Sequence, residues 1–378
     1  MSMPLDGIVV ADFSRVLAGP LASVLLADLG ATVIKVERPG AGDDTRGWGP
    51  PWTGNSASYF ECANRSKQSV TLDLGDPADL VLARELARRA DVFVENFRTG
   101  ALQRRGLDYE SVRADNPGIV YCSVSGFGGD ADLPGYDFLV QAMGGLMSIT
   151  GAADGEPAKA GVALVDVLAA KDATIGILAA LRAREATGRG QRVEVNLLSS
   201  LLGSMVNQAS AYLTTGRAPR RMGNQHPSIA PYETLRCKDD MLALACGNDG
   251  QFRRLAEVLG TPELADDVRF ATNAERVRNR PELRAALEEG LGTDTVVAWA
   301  AKLTEAGVPA GPVGDLADGF RLAESLGLAP TVRVGDDVPP QVRHPIGYSD
   351  TPVTRYTAPP RLGQHSDEIR RWLAEEKK

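Results

Sequence analysis

A chain of 378 residues, 43% hydrophobic and 24% charged, is long enough for one large core or two and too apolar to be disordered. Its formal charge of −8 argues against a general nucleic-acid binder, which needs a basic footprint. An anionic ligand stays open to it wherever Arg or Lys cluster locally.

The first two hundred residues alternate strand-like and helix-like segments. Ile8–Phe13 reads as a short apolar strand, Gly19-Pro20 as a break, and Leu21–Leu29 as a helix closed by Gly30. Thr32–Glu37 and Ser69–Leu74 read as further strands. Asp76 is a good N-cap and Pro77 suits the first helical position, so a helix is expected from there to about Ala90. Asp91–Phe97 and Ile119–Val124 are two more buried strands. Pro134–Ile149 and Val167–Ala186 read as helices, the second ended by Gly188, followed by a strand at Arg192–Leu197 and a long helix at Leu198–Thr215. This order predicts an α/β fold: a large Rossmann-like domain, 1–215, with a mostly parallel sheet and helices on both faces.

Composition shifts at 216–231, a basic, breaker-rich connector. Tyr232–Cys237 and Met241–Cys246 read as a hairpin opening a smaller α+β domain over 232–326, with short helices between Gln251 and Ala306. A second connector spans 327–345. The segment 346–378 is expected to return to the large domain and to end in a charged surface helix, Ser366–Glu375. The four cysteines form no CxxC pair and the three histidines are scattered, so reduced thiols are expected and a metal site is not. The start, Met1–Asp6, carries no basic and apolar leader, and no run of about 18 apolar residues occurs; a cytoplasmic protein without a membrane span is expected.

Several chemistries lack their motif. The turn after the first strand, Ser14–Pro20, has no GxGxxG. Gly126-Phe127-Gly128-Gly129 follows a strand but lacks a third spaced glycine and reads as a turn. There is no Walker A loop and no GxSxG elbow.

The segments that remain, taken in order, resemble the family III CoA-transferases. They are Asp12-Phe13 with Ala18-Gly19-Pro20, Val33–Arg38, Gly42–Trp48, Asn96-Phe97 with Gly100 and Leu102, Pro134–Phe138, and Gly176–Arg182 followed by Thr187–Gln191. Gly223-Asn224, Ala230–Tyr232, Gly247–Asp249, Gly307–Pro309 and Leu362–His365 extend the likeness through the C-terminal half. Each motif is short; their joint order is specific.

The resemblance implies an enzyme that moves coenzyme A from an acyl-CoA to a small carboxylic acid, with CoA as substrate and no tightly bound cofactor or metal. It also implies an interlocked, ring-like homodimer. Asp166, read by itself, is an N-cap for the helix at Val167. The resemblance instead implies the nucleophile, because the family's aspartate lies ten residues ahead of the Gly176 segment. Asp172 is the nearest rival and falls inside the predicted helix.

Arg38, Asn96, Phe97 and Arg104 match family CoA-binding positions, and Arg98 joins them by charge and proximity; each Arg reads equally as a solvated surface charge. Trp48, Tyr59 and Tyr136 match aromatic positions near the acyl site of formyl-CoA transferases, and equally suit core packing. Leu17 stands where those enzymes carry a glutamine, which puts a formyl/oxalate pair in doubt. Arg217, Arg220 and Arg221 are cations for a dicarboxylate, or a solvated basic loop. Two other functions stay open. One is an α-methylacyl-CoA racemase, which shares the fold but uses a histidine where this chain has Tyr136; the other is a non-catalytic CoA-binding protein.

Overall fold

The computed structural model describes residues 2–54, 56–128, 131, 133–336 and 338–375. Gly129 of the expected turn, Asp337 of the second connector and the last three residues of the returning segment lie outside the described residues. The chain divides into two compact units. The first comprises Met1–Leu146, Ala160–Arg217 and Ala329–Lys378, the second Met147–Lys159 and Ala218–Leu328. Residues 147–159, assigned to the large domain in the sequence reading, therefore group with the second unit.

The first unit is built on six parallel strands: β1 (Val9–Asp12), β2 (Thr32–Glu37), β3 (Lys67–Thr71), β4 (Val92–Glu95), β5 (Val120–Ser125) and β6 (Arg192–Asn196). Their order is β3-β2-β1-β4-β5-β6, and every neighbouring pair is parallel. The chain order reverses between β1 and β4, the switch point at which open α/β sheets form a crevice beyond their strand ends.

The period-two alternation of each strand divides the core. Val10, Val33, Val92, Val94, Val120 and Cys122 pack under the helices Ala18–Asp28 and Leu164–Thr187. Ala11, Ile34, Val70, Phe93 and Tyr121 face the opposite layer, with Leu86 of helix Pro77–Arg89. The rings of Phe13, Phe93 and Tyr121 stack in that layer at centroid spacings of 4.6 and 4.7 Å. The terminal helix, Ser366–Ala374, buries Ile369 and Leu373 in the same layer. It is thus anchored by one apolar stripe rather than lying free on the surface.

Several helix boundaries differ from the sequence reading, each for a local reason. Asp76 caps its helix as expected, accepting the N–H of Ala78 and Asp79 at 2.9 and 3.0 Å. Gly19-Pro20 does not break the chain: the helix begins at Ala18, and Pro20 sits in its first turn, where a missing N–H costs nothing. The expected helix at Pro134–Ile149 is two pieces, Asp137–Met143 and Leu146–Ile149, separated at Gly144-Gly145. The long helix at Leu198–Thr215 is also two, Leu197–Ser204 and Val206–Thr215, divided where Val206 takes a positive φ of 32°. Among the described residues, no helix is long and apolar enough to cross a membrane.

The second unit carries the expected hairpin, β7 (Tyr232–Arg236) and β8 (Met241–Ala245), and an unforeseen short third strand, β9 (Ala310–Pro312). Helices including Asp249–Val258, Arg280–Leu291 and Val296–Glu305 cover a core of Leu242, Leu244, Phe252, Leu287 and Trp299. Arg276 is fully buried there, donating to the carbonyls of Ala230 and Phe270 and to Asp249 at 2.7, 2.9 and 2.6 Å.

Candidate active site

At the switch point the chain leaves β1 and β4 through two turns that are clamped together. Asn96, just past β4, accepts the N–H of Arg15 at 2.9 Å and donates to its carbonyl at 2.7 Å. From below, Asp43 accepts the N–H of Val16, and the buried Lys35 bridges the Ser14 carbonyl and Asp43 at 3.0 and 2.9 Å. These contacts hold Val16, a β-branched residue, at a positive φ of 69°. That conformation persists only where the surroundings over-determine it.

Beyond these turns lies a cleft of about 770 Å³ within the first unit. Arg15, Val16 and Leu17 line it from the first turn, Asn96, Phe97 and Arg98 from the second, and Tyr136, Asp137 and Asp166 from the two helix starts. The loops after β5 and before helix Asp137–Met143 meet in this wall at glycines. A Cβ on Gly126 would sit 2.3 Å from Cα of Gly135, so neither position admits a side chain without separating the loops.

Asp166 is not the N-cap of its helix. The helix starts at Leu164, with Ala163 in the cap position and no side-chain cap of its own. The cap comes from elsewhere in the chain: Asp137 accepts the N–H of Val165 at 2.8 Å and, more loosely, that of Asp166 at 3.4 Å. Asp166 is thereby freed for another role. It sits half-buried in the first helical turn, and among the described residues nothing donates a hydrogen bond to its carboxylate. Burial, and then the charge of Asp137, push its carboxyl up to about 7. Tyr59 lies within electrostatic range; burial, then Asp166, push its phenol up to about 12.

The remaining candidates are distributed unevenly. Leu17 and Tyr136 line the cleft with Asp166. Trp48 and Tyr59 pack edge to face at 5.2 Å, outside its described lining. Asn96, Phe97 and Arg98 line the cleft. Arg38 lines a smaller cavity of about 190 Å³, which shares Arg15 and Phe97 with the cleft, and is ion-paired to Asp44 at 2.6 Å. Arg104 is exposed and lines neither cavity; its neighbour Arg105 lines the smaller one. Asp172 is exposed and does not line the cleft.

Two residues that the sequence reading did not single out belong to the site. Arg15 spans both cavities, its guanidinium 5.5 Å from the Phe97 ring centre. Its signal was its place directly after the first strand. The other is Asp137, which lies inside the family-like segment Pro134–Phe138 but was given no role there.

A crevice at the switch point, with Arg15 and Arg98 among its lining and holding a carboxylate with a raised pKa, defines a site suited to a large anionic substrate and nucleophilic chemistry. The family model described as CoA-transferase family III matches residues 5–366, and the chain belongs to that family. It is a CoA-transferase. It is 45% identical to the succinate–glutarate CoA-transferase of Agrobacterium fabrum, over 97% of this chain and 94% of that one. It is 39% identical to the acetyl-CoA:oxalate CoA-transferase of Acetobacter aceti, over 98% and 96%. A crystal structure of a CaiB/BaiF family protein from Brucella suis superposes with a TM-score of 0.89 at 44% identity, covering 99% of this chain and all of that one. Both named relatives carry a dicarboxylate in their names.

Proposed function

We propose that the enzyme moves CoA between dicarboxylic acids, with Asp166 as the covalent carrier. The observation that carries the reading is the Asp166 carboxylate: in the cleft, in the first turn of a helix and, among the described residues, without a hydrogen-bond donor. An unsolvated carboxylate is a stronger nucleophile than a paired one, and the helix N-terminus favours its ionised form.

The carboxylate attacks the thioester carbonyl; the C–S bond breaks, leaving an aspartyl–acyl anhydride and CoA thiolate. The thiolate attacks the aspartyl carbonyl, releasing the first acid and forming an aspartyl–CoA thioester. The acceptor carboxylate attacks that thioester, and the thiolate expelled attacks the acyl carbonyl of the new anhydride. Asp166 returns to its starting state and the product is the acceptor's CoA ester. A thiolate leaves readily because thiol pKa values sit near 8.5.

Arg38, Arg98 and Arg104 are assigned to CoA phosphates, Asn96 to the turn that shapes the cleft, and Phe97 to an apolar part of CoA. Support is strongest for Arg98 and Phe97, which line the cleft, and weakest for Arg104, which does not. The dicarboxylate class is supported by the relatives' names, which involve succinate, glutarate and oxalate. Within the cleft, Arg98 is a cation available to a second carboxylate, and Arg15 another that already faces Asp44 at 3.5 Å. Racemisation is disfavoured because Tyr136 replaces the second base and, among the described residues, no histidine lines the cleft.

The two units are assigned as a CoA-binding domain and a smaller domain, in an interlocked homodimer. Exposed apolar side chains on the first unit's helices, Ile175, Val206, Tyr212 and Leu213, support a buried interface. The reading is tested by incubating succinyl-CoA, acetyl-CoA and glutaryl-CoA each with succinate, glutarate, oxalate and a monocarboxylate, and identifying the CoA esters by mass spectrometry. New dicarboxyl-CoA products, absent with Asp166→Ala, are expected; exchange only into the monocarboxylate contradicts the dicarboxylate assignment.

A further inference from the structure

The reading of Asp166 as the carrier leaves open how its position and charge are set, and the cleft wall contains a group that does both. Helix Leu164–Thr187 starts without a cap of its own. Four N–H groups open every helix, and an unsatisfied one in a wall that excludes water is costly. Asp137 reaches this helix start from its own helix, twenty-eight residues earlier in the chain. Its Oδ1 takes the N–H of Val165 and, less closely, of Asp166. Its Oδ2 accepts from Nε2 of Gln141 at 2.7 Å, and Gln141 in turn accepts the N–H of Ala160 at 2.9 Å through Oε1. Gln141 is fully buried. One carboxylate and one amide therefore fix both the helix start and the strand of chain that leads into it.

We propose that Asp137 is a positioning residue for the transfer reaction: it substitutes for the missing cap, holds the turn bearing Asp166 in place, and keeps a second negative charge beside the Asp166 carboxylate. The inference rests on Asp166 being the carrier, but its mechanism is separable from that reading. A carboxylate beside a nucleophilic carboxylate disfavours ionisation, and so trades a smaller ionised fraction for greater basicity in the fraction that is ionised. The charged and titratable groups around Asp166 are few. Tyr59 lies on the side of the Ser58–Glu61 helix and stays neutral below about 12. Arg15, Arg98 and Asp44 line the same cleft from the turns at the strand ends. Asp137 is the only carboxylate that contacts the Asp166 backbone among the described residues.

The test uses the full-length enzyme labelled with ¹³C at aspartate Cγ, with the Asp166 signal assigned by its loss in Asp166→Asn. In the wild type that signal should titrate with a midpoint near 7. Asp137→Asn keeps an acceptor for the Val165 N–H but removes the charge, and should lower the midpoint by about one pH unit. Asp137→Ala removes the acceptor as well and should cut kcat roughly tenfold below Asp137→Asn while leaving the KM for acyl-CoA within about twofold. An unchanged midpoint in Asp137→Asn overturns the proposal, whatever its activity. So does an Asp137→Ala that matches Asp137→Asn in kcat and differs only in melting temperature, which is the signature of a structural cap. Because the titration is read without turnover, its result is independent of whether Asp166 forms a covalent intermediate.

Discussion

Asp12 and Asp166 belong to the same unit and both lose most of their water, yet their surroundings differ in sign. Asp12, at the end of β1, accepts from the Ser14 N–H and hydroxyl, from the Ser23 hydroxyl at 2.6 Å and from Lys67 at 3.0 Å. Burial alone would raise its carboxyl, but Lys67, Lys35 and the two serines overcome that and hold it well below the usual carboxylate range. Asp166 has none of these partners, and the charge that shifts its carboxyl is another carboxylate, Asp137. The first arrangement supports the turn that shapes the cleft. The second leaves a carboxylate within the cleft, poorly solvated and unpaired. Fully satisfied buried charge fixes geometry; incompletely satisfied buried charge is where chemistry is expected.

The difference is open to attack from both sides. The largest effect expected is on activity. Asp166→Ala should reduce CoA transfer by roughly 10⁴-fold or more, as loss of a covalent nucleophile does, while the protein keeps its fold. Its stability should respond to pH in a defined direction. The folded state raises Asp166 to about 7 from an ordinary value near 4, so it holds a proton that the unfolded chain releases. The stability so conferred is full below about pH 4 and is lost as pH rises through 7. Asp166→Ala should therefore melt close to wild type at pH 4 and gain progressively over it towards pH 8. A constant difference in melting temperature across that range would remove the uncompensated carboxylate from the account.

The next effect is on stability alone. Asp12→Asn leaves Lys67 and Lys35 buried with one anionic partner fewer. Breaking a buried pair in this way costs about 3–5 kcal/mol. Denaturant unfolding of the variant should show a loss of that order, in contrast to Asp166→Ala. A loss under 1 kcal/mol would mean that the network is not the support of the β1 turn described here.

Smallest, and confined to binding, are the cleft arginines. Arg98→Ala should raise the KM for acyl-CoA roughly tenfold, since a charge-assisted contact contributes about 1.5–3 kcal/mol. Arg38→Ala should do so less, because Arg38 is already paired with Asp44. Arg104→Ala, exposed and outside both cavities, should change it least. The reverse order in steady-state kinetics would move CoA out of the cleft and into the region around Arg104.

Much of the fold was legible because its signals are local. Alternating β-branched runs mark β1, β2, β4 and β5, and the Asp76-Pro77 pair marks a helix start through groups two and three residues away. What stayed hidden depends on contacts distant in sequence. Asp166 reads as a cap because an acidic residue at a helix start usually is one; only the fold brings Asp137 to that position instead. Likewise the place of Arg104 outside the cavities, and of Arg15 inside both, follows from how the turns after β1 and β4 are clamped by Asn96. The terminal helix could have been read better: Ile369 and Leu373 stand four residues apart, a one-stripe signal that its charged neighbours obscured.

The central claim is that Asp166 becomes covalently activated, and hydroxylamine tests it most directly. Added during turnover with an acyl-CoA and a dicarboxylic acid, it should intercept the aspartyl anhydride or the aspartyl–CoA thioester and leave a hydroxamate on the enzyme. Peptide mass mapping should find that label on Asp166, and labelling should require the acyl-CoA. A hydroxamate on Asp137 or Asp172 would place the chemistry on a different carboxylate. An unlabelled enzyme that transfers CoA at its full rate would contradict a covalent mechanism altogether.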